Sequence, residues 1–169
     1  GDRRIEMEKL DEKFDLIVID AFSSDTIPLH LLTTEALASY SEKLTDHGLM
    51  VMNISNRYFN LAPILSLGAS KTGLSSLVRL HYIEGEIDAV TLQKKYPYIS
   101  SSFWVAMAIR PEVLSPLREM SWVELEPDSN LRPWTDDYTN PMRMLIGMHG
   151  TDMKPALAPK VRAAIEALQ

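Results

Sequence analysis

The chain has 169 residues, of which 46% are hydrophobic, so it is long and apolar enough to fold as one ordinary domain with a real core. Its formal net charge of -6 at pH 7 argues against nucleic acid or an anionic membrane surface as the main partner, and favours small cationic molecules. Because there is no cysteine, the sequence excludes disulfides, thiolate nucleophiles and cysteine-ligated zinc, and an intracellular location is expected.

Neither a histidine metal site nor a membrane segment is predicted. The four histidines are scattered without the spacing of metal ligands. No apolar run reaches the roughly 18 to 20 residues that a membrane helix needs, and the N-terminal stretch GDRRIEMEKLDEKF is too charged for a signal peptide.

The first predicted element is a strand over the apolar run from Phe14 to Ile19. A short, nearly continuous apolar run is typical of a strand that is buried on both faces, so we expect a central parallel strand. In open α/β sheets, ligands bind beyond the carboxyl ends of the strands, which is where Asp20 and the loop 21–27 would lie. Asp20 is therefore a candidate site residue; the alternative is that it caps a helix or closes a turn.

A helix is predicted next, from Thr33 or Thr34 to about residue 44, and the sequence DHG is expected to end it in a turn. A second apolar strand at 49–54 follows. Because this strand too ends in polar residues, Ser55 and Asn56 are expected at the same sheet edge as the carboxyl end of the first strand.

The rest of the chain continues the alternation of helices and strands that is typical of an α/β fold. The elements predicted there are a helix at 60–71 closed by Gly73, strands at 74–83 and 102–109 with the last one antiparallel, a short helix at 111–120, and an amphipathic tail helix at 156–168.

Four stretches stand in a characteristic order: GDRR, then FDLIVIDAFSSDTIPLHLLTTEAL, then GLMVMNISNRY, then PWTDDYTNP. In this order they resemble the C-terminal half of spermidine synthase-like proteins, which have the class I S-adenosylmethionine methyltransferase fold. The resemblance is strongest to a bacterial branch whose members are often fused to membrane segments, and it covers residues 1 to about 146.

The resemblance implies an α/β fold with a Rossmann-like, methyltransferase-type sheet that is mostly parallel with one antiparallel strand. The first strand of this chain matches the family's fourth, so 1–150 correspond to the C-terminal part of the catalytic domain and 151–169 to a helical tail. None of the seven glycines has the spacing of a glycine-rich cofactor loop. We therefore expect either an expressed piece of a longer protein or a natural truncation, and the start at GDRR without a Met favours the former. The longer protein is expected to be cytoplasmic or membrane-tethered, and the piece alone inactive.

The resemblance also implies aminopropyl transfer from decarboxylated S-adenosylmethionine, or transfer from S-adenosylmethionine itself, to a small amine such as putrescine. A primary amine has an unperturbed pKa of about 10 and arrives protonated, so the site needs carboxylates to hold it and to accept its proton. Asp20 aligns with the family's catalytic strand-end Asp, and Asp25 with a second acid that grips the amine. The family places proline directly after that acid, whereas Pro28 follows Asp25 by three residues.

Further site residues follow from the same resemblance. Asp2 matches the position that contacts the adenine amino group, and its alternative is an ordinary solvated charge. Asp137 and Tyr138, preceded by Asp136, would face a cationic substrate across the cleft; the alternative is a plain turn, as it is for Asp25. Two adjacent Asp residues also fit a divalent cation, but the spacing of a known metal loop is missing and no metal site is predicted.

Three functions remain open from the sequence. The first is an aminopropyltransferase-like enzyme, marked by the acidic pair Asp20 and Asp25. The second is another S-adenosylmethionine-dependent transferase such as a methyltransferase, which needs one acid or none at that edge. The third is a non-catalytic module of the same fold, which the missing glycine loop favours. A half-sheet also leaves an exposed strand edge, which favours a homo-oligomer.

Overall fold

The computed structural model describes residues 6–7, 9–20, 28–56, 59–81, 102–124, 127–128 and 130–145. The strands are β1 (Phe14–Ile19), β2 (Leu44–Asn53), β3 (Ser75–His81) and β4 (Ser102–Ala108), and the helices are α1 (Thr34–Glu42), α2 (Ala62–Lys71) and α3 (Ser115–Glu119). Short 3-10 helices lie at Leu29–Leu31, Pro111–Leu114 and Pro141–Met144.

The four strands form one sheet in the order β1-β2-β4-β3. β1 and β2 are parallel, and β4 is antiparallel to both of its neighbours. β1, β2 and β3 therefore run in one direction and β4 in the other. This confirms the predicted α/β fold with a mostly parallel, Rossmann-like methyltransferase-type sheet. The carboxyl ends of β1, β2 and β3 and the amino end of β4 therefore lie at the same edge of the sheet.

One face of the sheet packs against α1 and α2 and forms the main core. Alternate residues of the central strands point into this core, as the period of a strand requires. The fully buried side chains from β2 and β4 include Met50, Met52, Val105 and Met107, and those from the two helices include Leu37, Ile64 and Leu65. Burying each such side chain stabilises the fold by about 1.5–3 kcal/mol.

The opposite face of the sheet is covered only in part. Around β3 and β4, a smaller cluster that includes Leu77 and Ala106 packs under Leu114. At β1, by contrast, Leu16 and Val18 are each 56% exposed. The expectation that β1 is a central strand buried on both faces is therefore wrong for the described sheet, because β1 lies at its edge and no described layer covers its second face.

The start of α1 was predicted correctly and its end was not. Thr33 is the N-cap, since its Oγ1 accepts a hydrogen bond from the Ala36 N–H at 3.2 Å. The helix ends at Glu42, and Leu44 is the first residue of β2, opposite Phe14. Leu44 is fully buried in this position, so its pairing in the sheet removes its side chain from water.

The sequence DHG does not form a turn between elements, because it lies within the irregular first part of β2. While β1 advances from Phe14 to Leu16, β2 advances from Leu44 to Leu49, so the extra residues form a bulge. Further along, Gly73 ends α2 with a φ of 75°, a conformation that glycine adopts without strain.

Several expectations lie outside the described residues, namely the tail helix at 156–168 and the domain boundary at 150. Among the helices within the described ranges, none has both the length and the apolar character needed to cross a membrane.

Candidate functional site

Asp20 directly follows β1, as predicted, and its side chain is exposed. Ile19 pairs with Met52 of β2, so Asp20 lies beside the next residue, Asn53. The Asn53 Nδ2 donates a hydrogen bond to Asp20 Oδ1 at 3.0 Å. An acid and an amide therefore meet at the carboxyl ends of two neighbouring parallel strands, which is the edge where ligands bind in such sheets.

Asn53 was missed in the sequence, where Ser55 and Asn56 were expected to reach this edge. Ser55 does so: its backbone N–H and its hydroxyl both donate to Asn53 Oδ1, at 3.0 and 2.6 Å. Asn56 instead accepts a hydrogen bond from the Phe59 N–H at 3.0 Å, within its own loop. The signal that could have found Asn53 is the single polar residue that interrupts the apolar run of β2.

Two more side chains lie in the same row across the sheet as Asp20 and Asn53. Asn53 pairs with Trp104 on β4, and Trp104 pairs with Arg79 on β3. Directly paired residues point to the same face of a sheet, so an acid, an amide, an indole and a guanidinium form one row across the four strands. Alternation from Leu16 and Val18 places Asp20 on that same face, the one left partly uncovered.

The segment WTDDYTN forms a tight turn against the start of α1. Thr135 and Tyr138 exchange two backbone hydrogen bonds, at 2.8 and 3.0 Å, around the two Asp residues. Trp134 is buried in the main core, and its carbonyl accepts a hydrogen bond from the Thr34 N–H at 2.9 Å. The motif therefore forms the turn that we considered as the alternative to a substrate-binding segment.

The three candidate residues of this turn differ in what they contact. Asp136 Oδ1 accepts a hydrogen bond from the Thr33 hydroxyl at 2.7 Å, so this carboxylate serves the junction with α1. Asp137 is exposed at the tip of the turn. The Tyr138 ring is half-buried, and the Arg132 guanidinium lies 4.1 Å from its centroid. That cation occupies one ring face, so a second cation has access only to the hydroxyl and the other face.

Of the residues that the sequence placed at this edge, Asp20 and Ser55 are connected through Asn53. Within the described part of the chain, no hydrogen bond connects Asp20 to Asp137 or Tyr138. Asp2 and Asp25 lie outside the described residues. No group of three or more His, Asp or Glu side chains is arranged to hold a metal ion in the ranges that the structure describes.

The glycines of the described ranges do not form a cradle for an S-adenosyl cofactor. Gly48 lies in the bulge near the amino end of β2 and Gly73 precedes β3, both away from the edge that carries Asp20. Gly68 belongs to the helix packing, because a Cβ there would lie 2.8 Å from Leu37 Cδ1. The described residues therefore do not fit an S-adenosyl cofactor.

No family model matches the chain, and no curated protein matches it. Solved structures with a similar fold include a probable spermidine synthase from Corynebacterium glutamicum ATCC 13032, at 18% identity and a TM-score of 0.42, over 64% of this chain and 36% of that one. MnmC2 from Aquifex aeolicus matches at 17% identity and a TM-score of 0.40, over 77% of this chain and 38% of that one. The M1.HpyAVI–SAM complex matches at 13% identity and a TM-score of 0.36, over 78% and 59% of the two chains.

The chain therefore spans between 36% and 59% of the length of these solved chains. The activity, substrates and partners of the whole protein are therefore proposals.

Proposed function

We propose that this chain is part of a spermidine synthase-like aminopropyltransferase, which moves an aminopropyl group from decarboxylated S-adenosylmethionine to a small amine such as putrescine. The observation that supports the proposal best is the exposed carboxylate of Asp20, which is held at the carboxyl end of β1 by a hydrogen bond from Asn53. The motif DAFSSDTIP, on which the family resemblance depends, begins at this same residue.

In this proposal Asp20 holds the substrate ammonium and accepts its proton. Its Oδ1 receives the Asn53 amide, and within the described residues no hydrogen bond engages Oδ2. That oxygen can accept an N–H of the ammonium and then take the proton, which leaves a nitrogen lone pair free to attack the donor's aminopropyl carbon. The bond between that carbon and the sulfonium sulfur would break, and the neutral thioether would leave. We propose that residues outside the described ranges bind the decarboxylated S-adenosylmethionine.

Four further residues have proposed roles. Asp25 is proposed to grip the amine beside Asp20, and Asp2 to contact the adenine of the cofactor. Asp137 and the hydroxyl of Tyr138 are proposed to complete the amine site; the exposure of Asp137 at the tip of its turn is compatible with contact to a ligand.

The test is an assay of the full-length protein with putrescine and decarboxylated S-adenosylmethionine, comparing Asp20→Asn with the unmodified protein. The substitution keeps the shape of the side chain but removes the base and the charge, so we expect turnover to fall about a hundredfold to ten-thousandfold. The matched control is Asp15→Asn. Asp15 is also an exposed carboxylate on β1 that accepts a hydrogen bond from β2, from Thr45 Oγ1 at 2.7 Å, but at the opposite end of the strand.

Near-parental turnover of Asp20→Asn, or an equal loss in Asp15→Asn, would contradict a catalytic role. A parallel assay with S-adenosylmethionine separates the main alternative. Methyl transfer without aminopropyl transfer would replace this proposal by a methyltransferase, a function that needs no more than the one acid placed beside Asn53.

A further inference from the structure

We propose that Asn53 is a positioning residue, which fixes the Asp20 carboxylate through a directed chain of hydrogen bonds that begins at the backbone of β4. This inference depends on the proposed function, since it concerns how the reacting acid of that site is held. It assigns roles to Asn53 and Ser55, although neither contacts the substrate in the mechanism proposed above.

The direction of every hydrogen bond in the chain follows from two backbone donors, the N–H groups of Phe103 and Ser55. The Phe103 backbone N–H can only donate, and it donates to Ser55 Oγ at 2.9 Å. The Ser55 hydroxyl proton is then available for Asn53 Oδ1, at 2.6 Å. The same Oδ1 also accepts the Ser55 backbone N–H, at 3.0 Å, which again can only donate.

These two donors settle which end of the Asn53 amide faces Asp20. If the amide were rotated by half a turn, its NH₂ group would meet the Ser55 N–H, and its oxygen would meet the carboxylate, so a donor would face a donor and an acceptor an acceptor. The observed orientation therefore has Nδ2 donating to Asp20 Oδ1. Asp20 Oδ1 therefore accepts this hydrogen bond, and Oδ2 is left to face the substrate ammonium in the mechanism proposed above.

The chain is anchored in the sheet, so it can hold Asp20 in one place. The Ile54 N–H donates to the Phe103 carbonyl at 2.7 Å, which ties the residue between Asn53 and Ser55 to β4. Ile54 is itself buried in the main core, and Phe103 is 6% exposed. Asp20, by contrast, is an exposed residue at the end of an edge strand, where a carboxylate without such support would sample several rotamers.

The test compares kinetic constants and melting curves of variants of the full-length protein. Asn53→Ala removes the donor, and Asn53→Asp keeps the shape of the side chain but presents a carboxylate to Asp20. We expect kcat to fall about ten- to hundredfold for both, because a loss of precise placement has effects of that size, and we expect the KM for the sulfonium donor to stay unchanged. Asn53→Gln retains an amide donor and should recover part of the kcat lost in Asn53→Ala.

The matched control is Thr45→Ala, which removes the hydrogen bond between the same two strands at their other end. If Asn53 only ties β1 to β2, the two alanine variants should lose similar stability and keep the same kcat. Full kcat in both Asn53→Ala and Asn53→Asp, alongside an inactive Asp20→Asn, would overturn this inference and leave the proposed function standing. Full activity of Asp20→Asn itself would overturn the proposed function as well, so the two failures can be told apart.

Discussion

Thr33 combines two structural roles at the start of α1. Its Oγ1 accepts the Ala36 N–H as the helix cap, and its hydroxyl proton goes to Asp136 Oδ1 at 2.7 Å. The two residues are 103 positions apart in the chain, and the Thr33 side chain is completely buried. One hydroxyl therefore caps the first turn of α1 and also attaches the WTDDYTN turn to this helix.

We predict that Thr33→Ala lowers the free energy of unfolding by about 1–3 kcal/mol, because the helix cap and the hydrogen bond from the Thr33 hydroxyl to Asp136 are both lost. Urea denaturation followed by circular dichroism measures this change. Thr33→Ser retains the hydroxyl and should cost less than the alanine variant. Equal stability of Thr33→Ala and the unmodified chain would show that neither hydrogen bond contributes.

The sequence predicted the position of one of the two side chains that are hydrogen-bonded at this sheet edge, and its role in a site stays a prediction. Asp20 was found because its place after an apolar run needs only local information. Asn53 was missed because its role depends on which residue of β1 lies opposite β2, and that register is shifted by the bulge between Leu44 and Leu49. The hydrogen bond from Thr33 to Asp136 was likewise invisible, since no local pattern connects residues so distant in the chain.

Among the structural elements, the bulge in β2 has a specific sequence requirement at Gly48. Gly48 is buried there, and a Cβ on it would lie 2.9 Å from the Phe14 carbonyl oxygen and 2.9 Å from Leu44 Cδ2. The carbonyl belongs to the β1 backbone and cannot rotate away. The absence of a side chain at this position therefore lets the two strands approach each other.

We predict that Gly48→Ala lowers the free energy of unfolding by about 1–3 kcal/mol, as expected for an overpacked site. A suitable control is Gly73→Asn, because no atom lies within 4 Å of a Cβ at that position and asparagine tolerates its positive φ. Chemical denaturation of both variants gives the comparison. A smaller loss in Gly48→Ala than in Gly73→Asn would mean that β1 moves aside without cost.

The elements themselves were predictable to different degrees. The start of α1 at a Thr cap and the stop of α2 at Gly73 follow from local backbone chemistry, and both were predicted. Whether β1 is buried on one face or on both was not predictable, because an apolar run has the same composition whether or not another layer covers its second face. Leu16 and Val18 show this, since each is 56% exposed.

At the scale of the whole molecule, the sheet combines a well-packed half with an edge strand, β1, that pairs on one side only among the described strands. β3 and β4 are covered on both faces, whereas β1 pairs only with β2 among the described strands. An edge of this kind can pair with further strands, and the homo-oligomer expected from it stays a prediction. The placement of Asp20 beside that edge means that any strand added there would lie next to the candidate site.

The final prediction concerns the 169-residue chain on its own and its affinity for S-adenosyl compounds. Tight binding of such a cofactor needs backbone amides from a glycine turn at the carboxyl ends of the strands. The glycines that the structure describes lie elsewhere, and the sequence contains no stretch with the spacing of that loop. We therefore expect no saturable binding of S-adenosylmethionine or its decarboxylated form to this chain.

Calorimetry and thermal unfolding with about 1 mM ligand test this expectation, because a ligand with a micromolar Kd would then stabilise the fold by about 4 kcal/mol. Unfolding of the chain without ligand is the baseline, and a cooperative transition there shows that the chain is folded. We expect the transition to stay at the same temperature in both samples. A clear upward shift, with matching heat in calorimetry, would show that residues of this chain form a cofactor site without the glycine loop.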